Sequence, residues 1–550
     1  VVDGGGSATI LALYGNHTFA SVLLRNGGVL TSPDTTTTQE YALNLNVSGA
    51  VEIDATSRID VSERGYLGGY RGGLSNEGRT YGNMPGAYLN AGGSYGGMGS
   101  LSNNNSWGPA RVSGVYGDYR NPEELGSGGS GVNSSWPGGD GGGLVRLTAG
   151  SLRVDGAILA DGGGDGSGSY QHNGGGSGGG INMSVGTLEG TGVIRANGGR
   201  TYSGNSADAG GGGGRIAIYY ANASSYDFAK VTAYGGTGNG GTSGSTIGGA
   251  GTVYLEKAGV QLSGIGSLVV NNGGLRGQYP TPIVAVPAGS ISSLDLATHR
   301  LGDLAANFPL DNRAAGTIGL HGLWVQPDIT RKFYYPVIEN DAKSLTVIDW
   351  DGSFGSVASV GDSYQGATIV NNVHVTGNAI VTTTGRLVIV GGQLVEDFGG
   401  DWNGPVDYVE QLNQDPSPVV SITTDAGAVS DGEDGVFASG YSLKTLGLIN
   451  EAAFTADSFL SSRSMFFRQY PLVPVERPFL NEDRALIFWP DCMQIEPTIS
   501  GGTSFFLMKA GRVDGSAETV FRGEIDDVVI ANRIVGERNP PPSPAGRTDA

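Results

Sequence analysis

Two aspartates flank a tryptophan in the stretch VIDWDG, Asp349 and Asp351 around Trp350. Two residues apart on a strand, they would point the same way, with Cβ atoms roughly 6.5–7 Å apart. That separation suits the acid and base of an inverting glycoside hydrolase, and an exposed Trp350 would stack a sugar. The competing reading has both carboxylates cap a turn beside Gly352 with the indole turned inward. Four other carboxylates, Asp140, Asp161, Asp165 and Asp208, punctuate glycine-rich loops. Repeated loop aspartates bind calcium together with backbone carbonyls, or simply close Asx turns. The segment ADGGGDGSGS has the acids of a calcium-binding nonapeptide but lacks its apolar residue. The histidines, His17, His172, His299, His321 and His374, are scattered with no metal-ligand spacing, and no GxSxG elbow is present.

Glycine runs offer a second kind of chemistry, the cradling of phosphate. A P-loop needs Gly-Lys-Ser/Thr at its end, and a dinucleotide loop needs strand, loop and helix in order. Here strand-like text flanks the glycine on both sides. The runs therefore read as packing glycine, and what positions them is the next question.

An internal repeat answers it. GGGLVRLTAG begins at Gly141, GGGINMSVG at Gly178, GGGGRIAIYYA at Gly211 and GGAGTVYLEKAG at Gly248. Leu144, Ile181, Ile216 and Val253 follow at intervals of 35–37 residues. Between them lie a second short strand and a further glycine segment, so the unit is strand, turn, strand, glycine loop. Repeats of this length signal stacked arrays. Apolar residues alternate in each strand, as in Leu43, Leu45 and Val47, the period of a half-buried strand. Stacking predicts that Val154, Ala157 and Leu159 lie near Val193, Ile194 and Ala196. Rungs only ~4.8 Å apart leave no room for bulky loops, so Gly141, Gly178, Gly211 and Gly248 are expected to be structural, in polyproline II-like segments paired through their backbones. No long helix is expected; the best short candidate starts at Val406 and stops at Pro416.

Composition sets bounds. The chain has 550 residues, 99 of them glycine, and a net charge of −20. That charge repels phosphates and argues against nucleic-acid binding. The single cysteine, Cys492, excludes a disulfide framework, and no apolar run is long enough for a membrane-spanning helix. The chain opens VVDGGG without Met and reads as processed or excerpted, so a missing leader carries no weight. Sequons occur at Asn16, Asn46, Asn104, Asn133, Asn182 and Asn222. The segments divide as 1–65, first solenoid strands; 66–143, a glycine- and tyrosine-rich insertion packed on them; 144–258, the glycine-rich repeat; 259–424, further solenoid; 425–537, a separate β domain; and 538–550, a Pro-rich tail.

The body from Ser7 to Ala258, with phrases such as GRIAIYYA and IRANGG, resembles the glycine-rich repetitive regions of large bacterial exported proteins. That resemblance implies a right-handed parallel β-helix and an extracellular structural or adhesive role. The stretch VFRGEIDDVVIANRIV resembles the closing strand of laminin-G-like, concanavalin-type jelly rolls through Gly523, Ile525, Asp526, Asp527, Asn532 and Arg533. It implies a small C-terminal β-sandwich of the kind that binds sugar or calcium. The expectation is thus an all-β chain: a right-handed parallel β-helix or solenoid with a glycine-rich loop layer, plus that sandwich. It is read as a secreted cell-surface protein without catalytic activity or cofactor, with structural calcium as an option. Its expected partners are itself, neighbouring surface proteins or glycans; nucleic acid and membrane insertion are not expected. The alternatives are a glycan-binding adhesin acting through its C-terminal domain and a polysaccharide-degrading β-helix enzyme.

Overall fold

Leu43, Leu45, Val47, Val51 and Ile53 alternate with polar residues, and the strand Leu43–Ile53 buries them all. The same alternation recurs in Leu144–Val154 and Gly180–Glu189, and the chain is almost entirely β. The computed structural model describes residues 1–413 except 6–8, 103–109, 165–172, 202–207, 239–245, 259–264 and 410. Beyond 413 it describes the backbone of short strands only. Residues 1–413 and 414–550 form two compact units.

In the first unit each pass of the chain adds a strand to a long face and another to a short face. The long face runs Val2–Asp3, Val22–Arg25, Leu43–Ile53, Leu144–Val154, Gly180–Glu189, Arg215–Asn222, Thr252–Lys257, all parallel. Gly15–Phe19 also lies parallel to Leu43–Ile53. The short face runs Ile10–Ala12, Val29–Thr31, Arg58–Asp60, Ala157–Leu159, Val193–Arg195, Val231–Thr232, again parallel. Val145, Ile181, Ile216 and Val253 share one position on the long face. Leu144 is therefore one residue out of the register its spacing suggests and lies opposite Gly180. On the short face Ile158 and Ala160 are buried, whereas Ala157 and Leu159 are half-buried. The corner at Asp155–Gly156 preserves the alternation that begins at Val154, so the even-numbered residues continue inward. Leu45, Leu147, Met183 and Ile218 stack in one buried column. Each such side chain contributes roughly 1.5–3 kcal/mol by leaving water.

The third wall is glycine. Its backbone hydrogen bonds repeat every third residue. Gly174 N–H and Ser177 N–H donate to Ser130 and Ser127, Gly175 and Gly178 to Ala209 and Gly212, Gly176 and Gly179 to Gly163 and Ala160. The run at 210–214 does the same: Gly210 and Gly213 donate to Thr246 and Gly249, Gly211 and Gly214 to Gly199 and Ala196, Gly212 to Gly93. Three residues per turn is the period of polyproline II, which has no internal hydrogen bonds and must find partners outside itself. Each segment thus bonds to three neighbours at once, two of which come from other passes or from residues 66–143. The glycines here are used for proximity. A Cβ on Gly178 would lie 2.6 Å from the Gly214 nitrogen and nearer still to the Ala196 oxygen. Gly141, Gly211 and Gly248 would meet the carbonyls of Gly126, Gly176 and Gly211 in the same way.

After Thr252–Lys257 the sheet changes direction. Ser267–Asn271 pairs with it antiparallel and starts a second stack. Its successive passes are Ser267–Asn271, Thr281–Ile283 and Ser363–Val370; then Asn372–Thr376, Ile380–Thr383 and Arg386–Val390; then Leu394–Glu396, Asp401–Asn403 and Val406–Val409. Corresponding strands are parallel. The expected helix at Val406 is therefore a strand: Leu387–Val390 offers a parallel partner, and that pairing outweighs a weak helical preference. Residues 284–362 leave the first of these passes and form antiparallel strands around Phe308, Tyr335, Phe354 and Tyr364. In the second unit Ile422–Thr424 pairs with Tyr441–Leu443, Ala428–Ser430 with Val436–Ala438, Val436–Ala438 with Ile495–Pro497, and Phe466–Tyr470 with Glu524–Val529.

Replacing Gly178 by Ala is expected to destabilise the first unit by about 3 kcal/mol, because only backbone can yield to the added methyl. Gly114 has nothing within 4 Å of a built Cβ, and Gly114→Ala is expected to be neutral. Urea unfolding of the two variants checks this.

Candidate functional site

The outward face of the long sheet carries two columns of polar side chains. One contains Asn16, Asn44, Arg146 and Asn182, the other Thr18, Asn46, Thr148 and Ser184, each column in strict register. The same alternation that buries Leu45 and Leu147 turns these residues to solvent. The first three rungs line a groove of about 450 Å³. Asn44 Nδ2 donates to Asn16 Oδ1 at 3.0 Å, and Asn44 Oδ1 has no hydrogen-bond partner among the described residues. Arg146 pairs with Glu123 at 3.1 Å. At the next rung Asn182 donates to Asn121 at 2.7 Å, and there the segment before Leu125 closes over the columns. The sequons at Asn16 and Asn46 fall inside the groove, and Asn182 lies beside it.

That closing segment is held by a buried ionic cluster. Arg215, which ends the glycine run, is 2 % exposed. Its guanidinium stacks over the Tyr95 ring at 5.5 Å, and its Nε–H donates to Tyr116 O at 2.8 Å. Nη1 reaches Thr252 Oγ1 at 3.3 Å. Tyr95 donates its hydroxyl to Glu124 Oε2 at 3.0 Å, and burial pushes the Glu124 carboxyl above its ordinary range. Tyr219, next to Ser184 on the following strand, donates to Arg120 O at 2.6 Å. These contacts fasten residues 116–124 to the sheet and give the groove its wall.

The carboxylates singled out by sequence are committed to their own turns. Asp349 and Asp351 lie in the loop after the strand Ser344–Val347, ahead of the one-turn helix Phe354–Val357, and so not on a strand. Asp349 Oδ1 accepts Phe354 N–H at 3.2 Å, and its Oδ2 lies 3.7 Å from His299 Nε2. Asp351 accepts the Ser353 amide and hydroxyl at 3.0 and 2.7 Å. Burial works against its charged form, but these hydrogen bonds outweigh it and hold the carboxyl below its usual range. Trp350 is 42 % exposed and donates Nε1–H to Tyr334 O at 3.2 Å.

Asp161 is a rung in a side-chain ladder. Its Oδ1 accepts Asn197 N–H of the next pass at 2.8 Å, and Asn197 Oδ1 accepts Tyr234 N–H of the pass after that at 2.8 Å. Its Oδ2 takes Arg195 at 2.7 Å. Asp155 does the same at another corner, accepting Thr191 N–H at 3.1 Å. Asp140 Oδ1 accepts Gly68 N–H at 2.7 Å and lies 3.3 Å from Arg71 Nε. Asp208 is fully buried in the glycine layer, and Asp165 lies outside the described residues. Among the described residues no three His, Cys, Asp or Glu side chains gather to hold a metal ion, and no helix is long and apolar enough to cross a membrane. Of the jelly-roll-like motif, Ile525, Asp526 and Asp527 fall on the strand Glu524–Val529; Gly523, Asn532 and Arg533 lie outside the described residues, as does the single cysteine, Cys492.

Sequence reasoning did not single out the polar columns or Arg215. Asn16 and Thr18 resemble Asn44 and Asn46 in spacing, so the columns could have been found by aligning the outward positions once the strands were aligned. Arg215 sits where other passes begin with Leu144, Gly180 or Thr252, and that departure was its signal. Compared with protein-family models, with curated proteins and with solved structures, the chain matches none.

Asp140 carries a testable pH dependence. Burial pushes its carboxyl up to about 6, against the opposing pull of Arg71 and of Gly68 N–H. Its folded value lies above the unfolded one, so the folded state holds this proton more tightly. The stabilisation from protonation is present near pH 4 and is lost as pH rises to about 6. Asp140→Asn keeps an acceptor for Gly68 without the buried charge. It should match the wild type near pH 4 and gain about 2–3 kcal/mol relative to it by pH 7, read from urea unfolding across that range.

Proposed function

We propose that this chain is an extracellular structural or adhesive module, built as a parallel β-solenoid whose third wall is the glycine layer, and that it assembles end to end into a filament or sheath. The observation that carries this reading is the three-residue hydrogen-bond repeat in the glycine runs 174–179 and 210–214. It is a source of cohesion that needs no reactive side chain, metal or disulfide. Backbone amides bonded to backbone carbonyls are also insensitive to salt, unlike ion pairs, which suits a durable external layer.

The N-terminal end of the stack supports assembly. Among the described strands, Ile10–Ala12 pairs only with Val29–Thr31, and Gly15–Phe19 only with Leu43–Ile53. Neither has a second strand partner among the described residues. Ile10 and Tyr14 beside these edges are 64 % and 60 % exposed. Open apolar edges invite strand pairing. The chain itself already joins two parallel stacks through an antiparallel contact at Val253 and Val269, so this architecture tolerates such a junction.

The reading includes no catalysis. Asp349 and Asp351 spend their oxygens on Phe354 and Ser353, which is turn stabilisation. Incubation with neutral and acidic polysaccharides should release neither reducing ends nor unsaturated products. Release that is lost in Asp349→Asn would establish the enzyme instead.

Assembly is expected to appear as concentration-dependent growth in sedimentation velocity and as fibres in negative-stain micrographs, and to persist in chelator. Leu11→Lys, which places a charge at the open end, should abolish it without lowering the melting temperature. Monodisperse single chains at high concentration would overturn the assembly.

A further inference from the structure

We propose that the groove on the outward face of the first unit binds a neutral saccharide through its stacked amides and hydroxyls. The inference supplies a ligand for the adhesive half of the reading above and rests on that half alone. A chain that binds saccharide but never polymerises would keep this inference and lose the assembly.

Three features of the groove specify the ligand. The first is its donors and acceptors. Asn16, Thr18, Asn44, Asn46 and Thr148 present groups that both donate and accept, as sugar hydroxyls do. An apolar ligand would strip water from these groups and return nothing for it. The second is charge. Arg146 is the charged side chain in the lining, and its guanidinium is already paired with Glu123. The ring of His17 takes Tyr14 O at 3.0 Å. An anionic ligand would have to break the Arg146–Glu123 pair, and a cationic one would meet Arg146, so a neutral ligand is favoured.

The third feature is shape and repeat. A volume of about 450 Å³ falls within the range of small-ligand sites, ~300–1,000 Å³. Rungs recur about every 4.8 Å and the two columns stand about 6.5–7 Å apart. This is the scale of one pyranose ring, so successive sugars along the stack would meet successive rungs in the same way.

The test uses the full chain and a panel of neutral oligosaccharides: α- and β-linked glucans, xylan fragments and chitin fragments, titrated calorimetrically. At least one member should bind saturably. Asn46→Ala with Thr148→Ala removes two exposed groups from adjacent rungs and should weaken that binding about tenfold or more at an unchanged melting temperature. If that double variant melts lower, Thr18→Val on the edge strand takes its place and should weaken binding in the same direction. No binding by any member of the panel overturns the inference. Binding that the groove variants leave unchanged overturns it too, and places the saccharide elsewhere, residues 414–550 included.

Discussion

A backbone carbonyl can sit against a neighbouring chain at hydrogen-bonding distance on every side only where no Cβ intervenes. The first unit is arranged around that constraint. In the layer that contains Gly141, Gly178, Gly211 and Gly248, each segment lies between three others, and each third residue returns to the same neighbour. One methyl group would displace backbone, not a side-chain tip. Glycine carries the largest entropic cost of ordering. The layer offsets that cost with a near-complete set of backbone partners, several of them supplied by described residues between 66 and 143.

The remaining walls follow from the layer. Its segments deliver each pass back to the long face at a nearly constant phase, so Val145, Ile181, Ile216 and Val253 coincide and their columns close into a core. The corners are held by side chains standing in for a missing ladder. Asp161, Asn197 and Asp155 each bond to an amide one pass further on. Of these, Asp161 looks like a calcium ligand in the sequence, because a carboxylate that recurs in loops suits a calcium site and a corner ladder alike.

Arg215 shows how the layer and the outward face are coupled. It ends a glycine run, so its backbone belongs to the layer and donates to Gly179 O at 3.0 Å. Its side chain passes beneath Tyr95 and fastens the segment that carries Glu123 and Asn121. That segment pairs with Arg146 and Asn182 and so terminates the groove. A buried guanidinium is tolerable only with such partners, and a substitution that removed it would strand Glu124 and loosen the groove wall together.

Much of this was legible in the chain itself. Period-two alternation announces strands because side chains on a strand must face opposite ways, and the 35–37 residue recurrence of glycine and strand announces stacking, since a single pass cannot bury its own apolar face. The sequence alone therefore determined an all-β chain with repeated passes, the lack of a long helix among the described residues and the packing use of glycine. It could not decide register, which turns on one residue: Leu144 and Val145 are equally apolar, and only the partner strand selects between them. Nor could it decide that Val406–Val409 pairs as a strand, that Asp349 and Asp351 close a turn, or that Thr18, Asn46 and Thr148 stand in one column. Each depends on residues tens of positions away brought within a few ångströms, and distance in space is set by the packing of the passes, not by spacing along the chain.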